Sequence, residues 1–289
     1  MSNELSSLIQ EIFGNTVKVT QSSSIVGGSI SNAQVLSLSN GDFAFLKHHY
    51  DPPIDFFQKE AHGLNLLRLA QGGPRVPKSL CVSYPNYFLM EYIPQESPEG
   101  DYYELFGHTL AQMHRTTADC YGLDHDNYIG KTIQRNARNE DPIAFFRESR
   151  IRYQQKLARK RKLIPVTLDC DLDILCDKLE NFLDTTNEKP ALLHGDLWSG
   201  NYFCGPNQEP CVFDPAVYYG LRETDLAMTE LFGRMPRPFY QAYEDAFPLN
   251  PGYEERRDLY NLYHLLNHLN LFGGSYLGSV QSVLKHYIG

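Results

Sequence analysis

The stretch Ala191-Leu192-Leu193-His194-Gly195-Asp196-Leu197-Trp198-Ser199-Gly200-Asn201, followed by Val212-Phe213-Asp214, decides how the rest of the chain is understood. An apolar run leads into an acid, an amide lies five residues on, and a second acid closes another apolar run. The runs read as strands and the polar residues between them as a loop. Asp196 is placed to orient a hydroxyl and take its proton, while the Asn201 side-chain oxygen and the Asp214 carboxylate are hard ligands suited to Mg2+ on nucleotide phosphates. The plain alternative is a turn rich in Asp, Gly and Asn between two strands. Deciding between the two requires other parts of a site elsewhere in the chain.

Length and charge narrow the field. The 289 residues predict about two domains with enough apolar content for real cores. A net charge of −9 argues against a general nucleic-acid binder, which needs a basic surface. Met1-Ser2-Asn3-Glu4-Leu5 lacks the basic and apolar regions of a signal peptide, and no apolar run approaches a membrane span, so a cytoplasmic protein without membrane association is expected. The cysteines (81, 120, 170, 176, 204 and 211) include no Cys-x-x-Cys pair, so reduced thiols are expected.

The first ninety residues supply the missing parts. Leu5, Leu8, Ile9, Ile12 and Phe13 share a helical face, and Gly14 follows as a stop. Strand-like alternation at Val17 and Val19 breaks at Ser24-Ile25-Val26-Gly27-Gly28-Ser29-Ile30 and resumes at Ala33, Val35 and Leu36. Gly27 and Gly28 would let backbone N–H groups approach phosphates without Cβ obstruction, or form only a turn. Asn40-Gly41 marks a hairpin that puts Lys47 at the end of the strand Phe43-Ala44-Phe45-Leu46. After Pro52-Pro53, a helix through Phe56, Phe57, Glu60, Ala61, Leu64 and Leu67 carries one acid among its apolar positions. Lys47 and Glu60 resemble the strand lysine and helix glutamate of the protein-kinase small lobe. Residues 76–82 and 87–93 read as two more strands about Pro85-Asn86. The second enters Pro94-Gln95-Glu96-Ser97-Pro98-Glu99-Gly100, a linker composition that sets a boundary between residues 1–93 and 94–289. In a kinase-like arrangement the backbone of Glu91, Tyr92 and Ile93 would meet adenine, with Met90 facing the base.

Beyond the linker, residues 105–114 read as a helix and 116–141 as a long polar stretch without periodicity, a length often functional. Residues 145–163 read as a basic helix ending Arg159-Lys160-Arg161-Lys162, whose charge run is expected to be a solvated face. A further helix is marked by Leu172, Leu175, Leu179 and Phe182, and three more cover 239–247, 253–272 and 276–287. Asp225, at a helix start, is expected to hold the catalytic segment. His264 and His268 share a helical face but lack a following Glu or third ligand for zinc.

Assembled in this way, the chain resembles the fructosamine kinase (ketosamine kinase) family, relatives of aminoglycoside and choline phosphotransferases. The resemblance spans nearly the whole chain and rests on Gly27-Gly28-Ser29-Ile30, Phe45-Leu46-Lys47, Glu60-Ala61-His62-Gly63-Leu64, Met90-Glu91-Tyr92, Asp126-Asn127-Tyr128-Ile129-Gly130, the His194 to Asn201 motif, Phe213-Asp214-Pro215-Ala216-Val217-Tyr218-Tyr219-Gly220, and Leu262-Tyr263-His264-Leu265-Leu266-Asn267-His268. It implies an α+β, protein-kinase-like bilobal fold with a small antiparallel-sheet amino-terminal lobe and a mainly helical carboxy-terminal lobe. It further implies ATP- and Mg2+-dependent phosphorylation of the third-carbon hydroxyl of ketosamines, the ribulosamine, erythrulosamine or fructosamine adducts on lysine or protein, in deglycation repair. By position Asp196 would be the base, Asn201 and Asp214 the Mg2+ ligands, Lys47 the phosphate contact and Glu60 its partner. Trp198, the single tryptophan, would either stack on the sugar or lysine stem or anchor the loop. Where the family commonly has tryptophans and a histidine, Ala137, Pro142 and Leu221 stand here, a difference on the acceptor side. The rivals are a related phosphotransferase for an aminoglycoside or choline-like alcohol, and a non-catalytic nucleotide-binding module.

Overall fold

The computed structural model describes residues 3–25, 32–83 and 86–289; Gly27 and Gly28, and Pro85 of the expected turn, lie outside the described residues. The chain opens with α1 (Asn3–Phe13), whose Leu5 and Ile9 are buried, as its spacing predicts. Strands β1 (Val19–Ile25), β2 (Asn32–Leu38), β3 (Phe43–His48), β4 (Ser79–Ser83) and β5 (Tyr87–Glu91) form an antiparallel sheet in the order β1-β2-β3-β5-β4. Side chains alternate across a strand, and that period sorts the two faces. Leu36, Leu38, Ala44, Leu46 and Leu89 pack on α1. Phe45 and Lys47 turn to the other face, into a cleft. Helix α2 (Phe56–Arg68) packs there through Phe57, Ala61 and Leu64, in one cluster with Phe88 and Met90.

The expected strand over 76–82 starts late, at Ser79, for a reason remote in sequence. Arg75 donates its N–H to Pro210 O (2.8 Å) and accepts from Val212 N–H (2.9 Å), so this segment runs beside the strand β10 instead. The rest of the chain is mainly helical: α3 (Tyr102–His114), α4 (Pro142–Phe145), α5 (Tyr153–Lys160), α6 (Val166–Asp177), α7 (Glu223–Leu231), α8 (Arg237–Ala246), α9 (Tyr253–Phe272) and α10 (Leu277–Ile288). Short hairpins interrupt it. They are β6 (Asn127–Ile129) with β7 (Thr132–Gln134), β8 (Ala191–Leu193) with β11 (Tyr218–Gly220), and β9 (Tyr202–Cys204) with β10 (Pro210–Val212).

Two stretches differ from expectation. The polar stretch 116–141 contains the β6–β7 hairpin, three residues a side and too short to show a period. The basic helix begins at Pro142, where Asp141 caps Ile143 and Ala144 N–H groups at 2.8 and 3.0 Å, and it widens into a π-helix over Phe146–Arg152. The closing run Arg159-Lys160-Arg161-Lys162 is exposed, as expected, while charges earlier in the helix are met within the fold. Arg152 pairs with Asp173 and Asp177 at 3.0 and 3.1 Å, Arg159 pairs with Asp169 at 2.7 Å, and Arg150 is fully buried.

Helices α3 and α8 approach to backbone contact at Gly107, where an added Cβ would lie 2.2 Å from Phe239 O and 2.9 Å from Tyr243 N. Neither backbone atom can yield without moving a helix. Gly107→Ala is therefore expected to destabilise by about 3 kcal/mol, lowering the melting temperature by roughly 6 °C or more. Gly278→Ala in α10, where nothing lies within 4 Å, is the control and should be neutral or slightly stabilising. Equal melting temperatures for the two variants would show that the helices do not meet this closely.

Candidate active site

The cleft between the sheet and the β8–β11 region holds about 470 Å³. Its apolar lining includes Ala33, Phe45, Met90, Ile93, Phe203 and Phe213. The same cleft gathers Lys47, Glu60, Asp196, Asn201 and Asp214, which the sequence separates by up to 167 positions between paired groups.

Lys47 Nζ bridges two carboxylates, Glu60 Oε1 at 2.5 Å and Asp214 Oδ1. Burial opposes its charge, but Asp214 and Glu60 outweigh that and raise its pKa. Glu60 is pushed up, by burial first and with Lys47 pulling against it. Asp196 rises to about 7, again from burial, with the charge of Asp214 adding. Asn201 Nδ2 donates to Asp196 O at 2.8 Å and Oδ2 at 3.2 Å, which turns its Oδ1 the other way.

The loop carrying Asp196 is held from beneath. Asp225, 1% exposed, accepts from His194 N–H at 2.7 Å and Gly195 N–H at 2.8 Å. It serves the catalytic loop, as expected, rather than its own helix. His194 is fully buried, and burial lowers its pKa. Its Nε2 meets Phe213 O at 2.9 Å, an atom that only accepts, while its Nδ1 meets Asp196 N–H at 3.3 Å, a group that only donates. Those partners fix a neutral imidazole protonated at Nε2. Gly195 has φ +82°, and a Cβ there would sit 2.0 Å from Ala216 O. A larger residue between His194 and Asp196 is excluded by that contact.

The structure brings together every expected site residue among those described, with two differences of role. The Glu91 side chain turns from the cleft: Arg75 Nη2 binds it at 2.6 Å, Lys78 N–H at 3.0 Å, and its own N–H donates to Lys78 O. Trp198 lines the cleft yet also rests on its own loop, since a Cβ on Gly200 would lie 2.3 Å from the indole. Phe232 meets it edge-on, centroids 6.5 Å apart. Sequence reasoning missed Phe203, Phe213, Phe56, Lys59 and Tyr128 in the lining of the cleft, and Arg75, which holds the Glu91 side chain. Phe213 was legible as the neighbour of Asp214. Arg75 carried no signal, because its partner Glu209 lies 134 residues away.

The residues fit a divalent cation. Glu60 and Asp214 share the one ammonium of Lys47, Asp196 adds a third carboxylate that burial and the charge of Asp214 raise, and carboxylate and amide oxygens are hard donors. Fold and site together define an ATP-dependent kinase of the protein-kinase-like fold. The family model for fructosamine kinase matches residues 1–289, and the chain belongs to that family. A Synechocystis protein named by inference as a ketoamine kinase is 38% identical over 282 residues, 96% of this chain and 93% of that protein. The Arabidopsis thaliana chloroplastic protein-ribulosamine 3-kinase is 37% identical over 281 residues, 95% of this chain and 85% of that one. A crystal structure from Thermobifida fusca, assigned by name to the fructosamine-3-kinases, superposes with TM-score 0.89 at 29% identity, covering 99% of each chain. No helix among the described residues is long and apolar enough to cross a membrane.

Burial raises the Asp225 carboxyl, but hydrogen bonding to His114 (3.2 Å) and to the Gly195 N–H prevails and depresses it below its ordinary 3.8. A depressed carboxylate contributes stability that is full above its unfolded value and lost as pH falls through the folded one. Asp225→Asn is expected to cost about 3 kcal/mol at neutral pH, since at least one buried N–H loses its charged acceptor. Urea unfolding from pH 7 to pH 3 should show the difference from wild type shrinking below about pH 4. A difference independent of pH would rule out this carboxylate as the anchor.

Proposed function

We propose that this protein transfers the γ-phosphoryl group of ATP to the third-carbon hydroxyl of a ketosamine, a ribulosamine, erythrulosamine or fructosamine carried on lysine or on a protein. The phosphorylated adduct is unstable, so the role is deglycation repair, in the cytoplasm. The observation that carries the reading is the meeting of Lys47, Glu60, Asp196, Asn201 and Asp214 in one cleft that also has apolar walls. The names of the relatives support the acceptor class, ribulosamine among them.

Residues 1–93 would hold the nucleotide, with Gly27 and Gly28 at the phosphates, Met90 at the base and the backbone of Glu91, Tyr92 and Ile93 along adenine. Residues 94–289 would supply the catalytic loop and the acceptor surface. Asn201 and Asp214 would hold Mg2+, which when bound neutralises phosphate charge. Lys47, fixed by Glu60, neutralises the α- and β-phosphate oxygens. Asp196 orients the acceptor hydroxyl and takes its proton as the hydroxyl oxygen bonds to the γ-phosphorus and the bond to the ADP oxygen breaks. A carboxyl lifted to about 7 is a base matched to neutral pH. Positioning supplies most of the remaining rate.

Asp196→Asn should lower turnover by about 10³-fold while calorimetric ATP affinity stays within about threefold. Near wild-type turnover would remove Asp196 from the chemistry. A product assay with ATP against ribuloselysine, erythruloselysine, fructoselysine, kanamycin and choline fixes the acceptor, with the ketosamines expected to be phosphorylated. Exclusive turnover of kanamycin or choline would overturn the assignment, and no Mg-ATP binding at all would revive a non-catalytic module.

Trp198 is proposed to stack on the sugar or the lysine stem. Gly200→Ala pushes against the indole and is expected to raise the acceptor KM about tenfold, with the ATP KM rising about threefold or less because Asn201 adjoins it. Equal effects on both KM values would mean that the tryptophan serves the loop alone.

A further inference from the structure

Asp214 adopts φ 55°, a left-handed conformation uncommon outside glycine, and Pro215 after it has no N–H to bond. The segment Phe213–Val217 therefore depends on neighbours for its shape. The catalytic loop supplies part. Phe213 N–H donates to Asn201 O at 3.0 Å, Ala216 N–H donates to His194 O at 2.9 Å, and His194 Nε2 donates to Phe213 O.

The next two carbonyls are held from elsewhere. Gln134 Nε2 donates to Ala216 O and Asn127 Nδ2 to Val217 O, both at 2.8 Å. These two amides face each other across the β6–β7 hairpin and are joined, Gln134 Nε2 to Asn127 Oδ1, at 2.8 Å. Each has its remaining acceptor filled. Asn136 Nδ2 donates to Asn127 Oδ1 at 2.9 Å, and Tyr263 OH donates to Gln134 Oε1 at 2.8 Å. Arg150 Nη2 holds Asn136 Oδ1 at 2.9 Å. None of these side chains is more than 4% exposed. A buried polar network so nearly saturated has one low-energy arrangement, and a partner lost from it leaves a buried group unpaired.

The same hairpin reaches helix α2, which carries Glu60. Tyr128 OH donates to Asp55 Oδ1 at 2.7 Å, and its ring lies 5.2 Å from that of Phe56. The hairpin thus touches both elements whose carboxylates converge on Lys47.

We propose that Asn127 and Gln134 are positioning residues for Asp214, aiming its carboxylate at Lys47 and at the divalent cation through the Ala216 and Val217 carbonyls. The inference rests on the reading of Asp214 as a cation ligand. Its consequence is that loosening the amide pair weakens the cation's contribution to nucleotide binding while leaving the apolar nucleotide contacts intact.

The test is calorimetric binding of AMP-PNP in excess Mg2+ and in EDTA, by wild type and by Asn127→Asp, Gln134→Glu and Tyr263→Phe. Wild type should bind more tightly with Mg2+. In the two isosteric amide variants that enhancement is expected to fall about tenfold or more, with EDTA binding within about threefold, the size seen when groups orienting a metal ligand are removed. Tyr263→Phe deletes one hydroxyl at the far end of the network and should reduce the enhancement about two- to fivefold; it decides the matter if the amide variants do not fold. A purely structural role would lower the melting temperature and leave the enhancement at its wild-type value, which would overturn the proposal. No enhancement in wild type would instead defeat the cation reading itself.

Discussion

The ammonium of Lys47 is the constraint around which the rest of the structure is arranged. A lysine 5% exposed cannot keep its charge without close carboxylates, and burial alone would drive it neutral. Its two partners come from separate elements, Glu60 from α2 and Asp214 from the segment after β10. Strand, helix and loop must therefore be placed to within a hydrogen bond of one another. The packing of α2 serves that requirement: Gly63 brings the helix so near Val217 that a Cβ would lie 3.1 Å from its methyl. Displacing α2 would leave the Glu60 carboxylate unpaired in the core and Lys47 with Asp214 alone, a state more costly than a broken surface ion pair.

A second level of charge arrangement lies beneath the first. Asp225 is buried and ionised because backbone N–H groups of His194 and Gly195 point at it, with His114 completing its shell. His194 in turn is neutral and fixed in one tautomer, tying the loop to Phe213. The loop thus reaches Asp196 already rigid. Asp196 itself has the opposite environment, buried with another carboxylate near and one amide in support, and its pKa rises accordingly. Two aspartates of one framework are pushed in opposite directions by what surrounds them, the setting in which an anchor and a proposed base are kept apart.

The sequence disclosed the parts whose signal is local. The Asp196 to Asn201 spacing, the Asn40-Gly41 turn, the face of α1 and the lone acid of α2 each carry their physics within a few residues. What escaped was set by partners far along the chain. Arg75 pairs with β10 ahead of a strand that starts only at Ser79, Glu91 turns its carboxylate outward to Arg75, and Arg150 is buried among amide and carbonyl oxygens and aromatic rings although it lies in a basic run. The β6–β7 hairpin was read as an irregular loop because three residues a side cannot display a period. Its polar side chains looked solvated, and only the fold shows them bonded to the Ala216 and Val217 carbonyls.

Chemistry and acceptor contact are unequally free to change. Asp196, Trp198 and Asn201 occupy one short loop whose backbone is bonded at both ends, Asp196 to His194 and Asn201 N–H to Trp198 O at 2.9 Å. The indole lies on Gly200, one residue before Asn201. Any substitution that re-aims Trp198 therefore presses on Asn201, and through its Nδ2 on Asp196. Selectivity for one acceptor over another is more freely adjusted outside the loop, on the far side of the indole. There Phe232 contacts Trp198 and is itself backed by His268 at 4.8 Å and Tyr276 at 6.5 Å, on α9 and the turn before α10. Phe232 is 37% exposed and Phe272 49%, so these rings can be exchanged without opening a core cavity. Asp196, Asn201 and Trp198 are bound to one geometry, and on the proposed function the aromatic rim beside them is where the shape of the acceptor can vary.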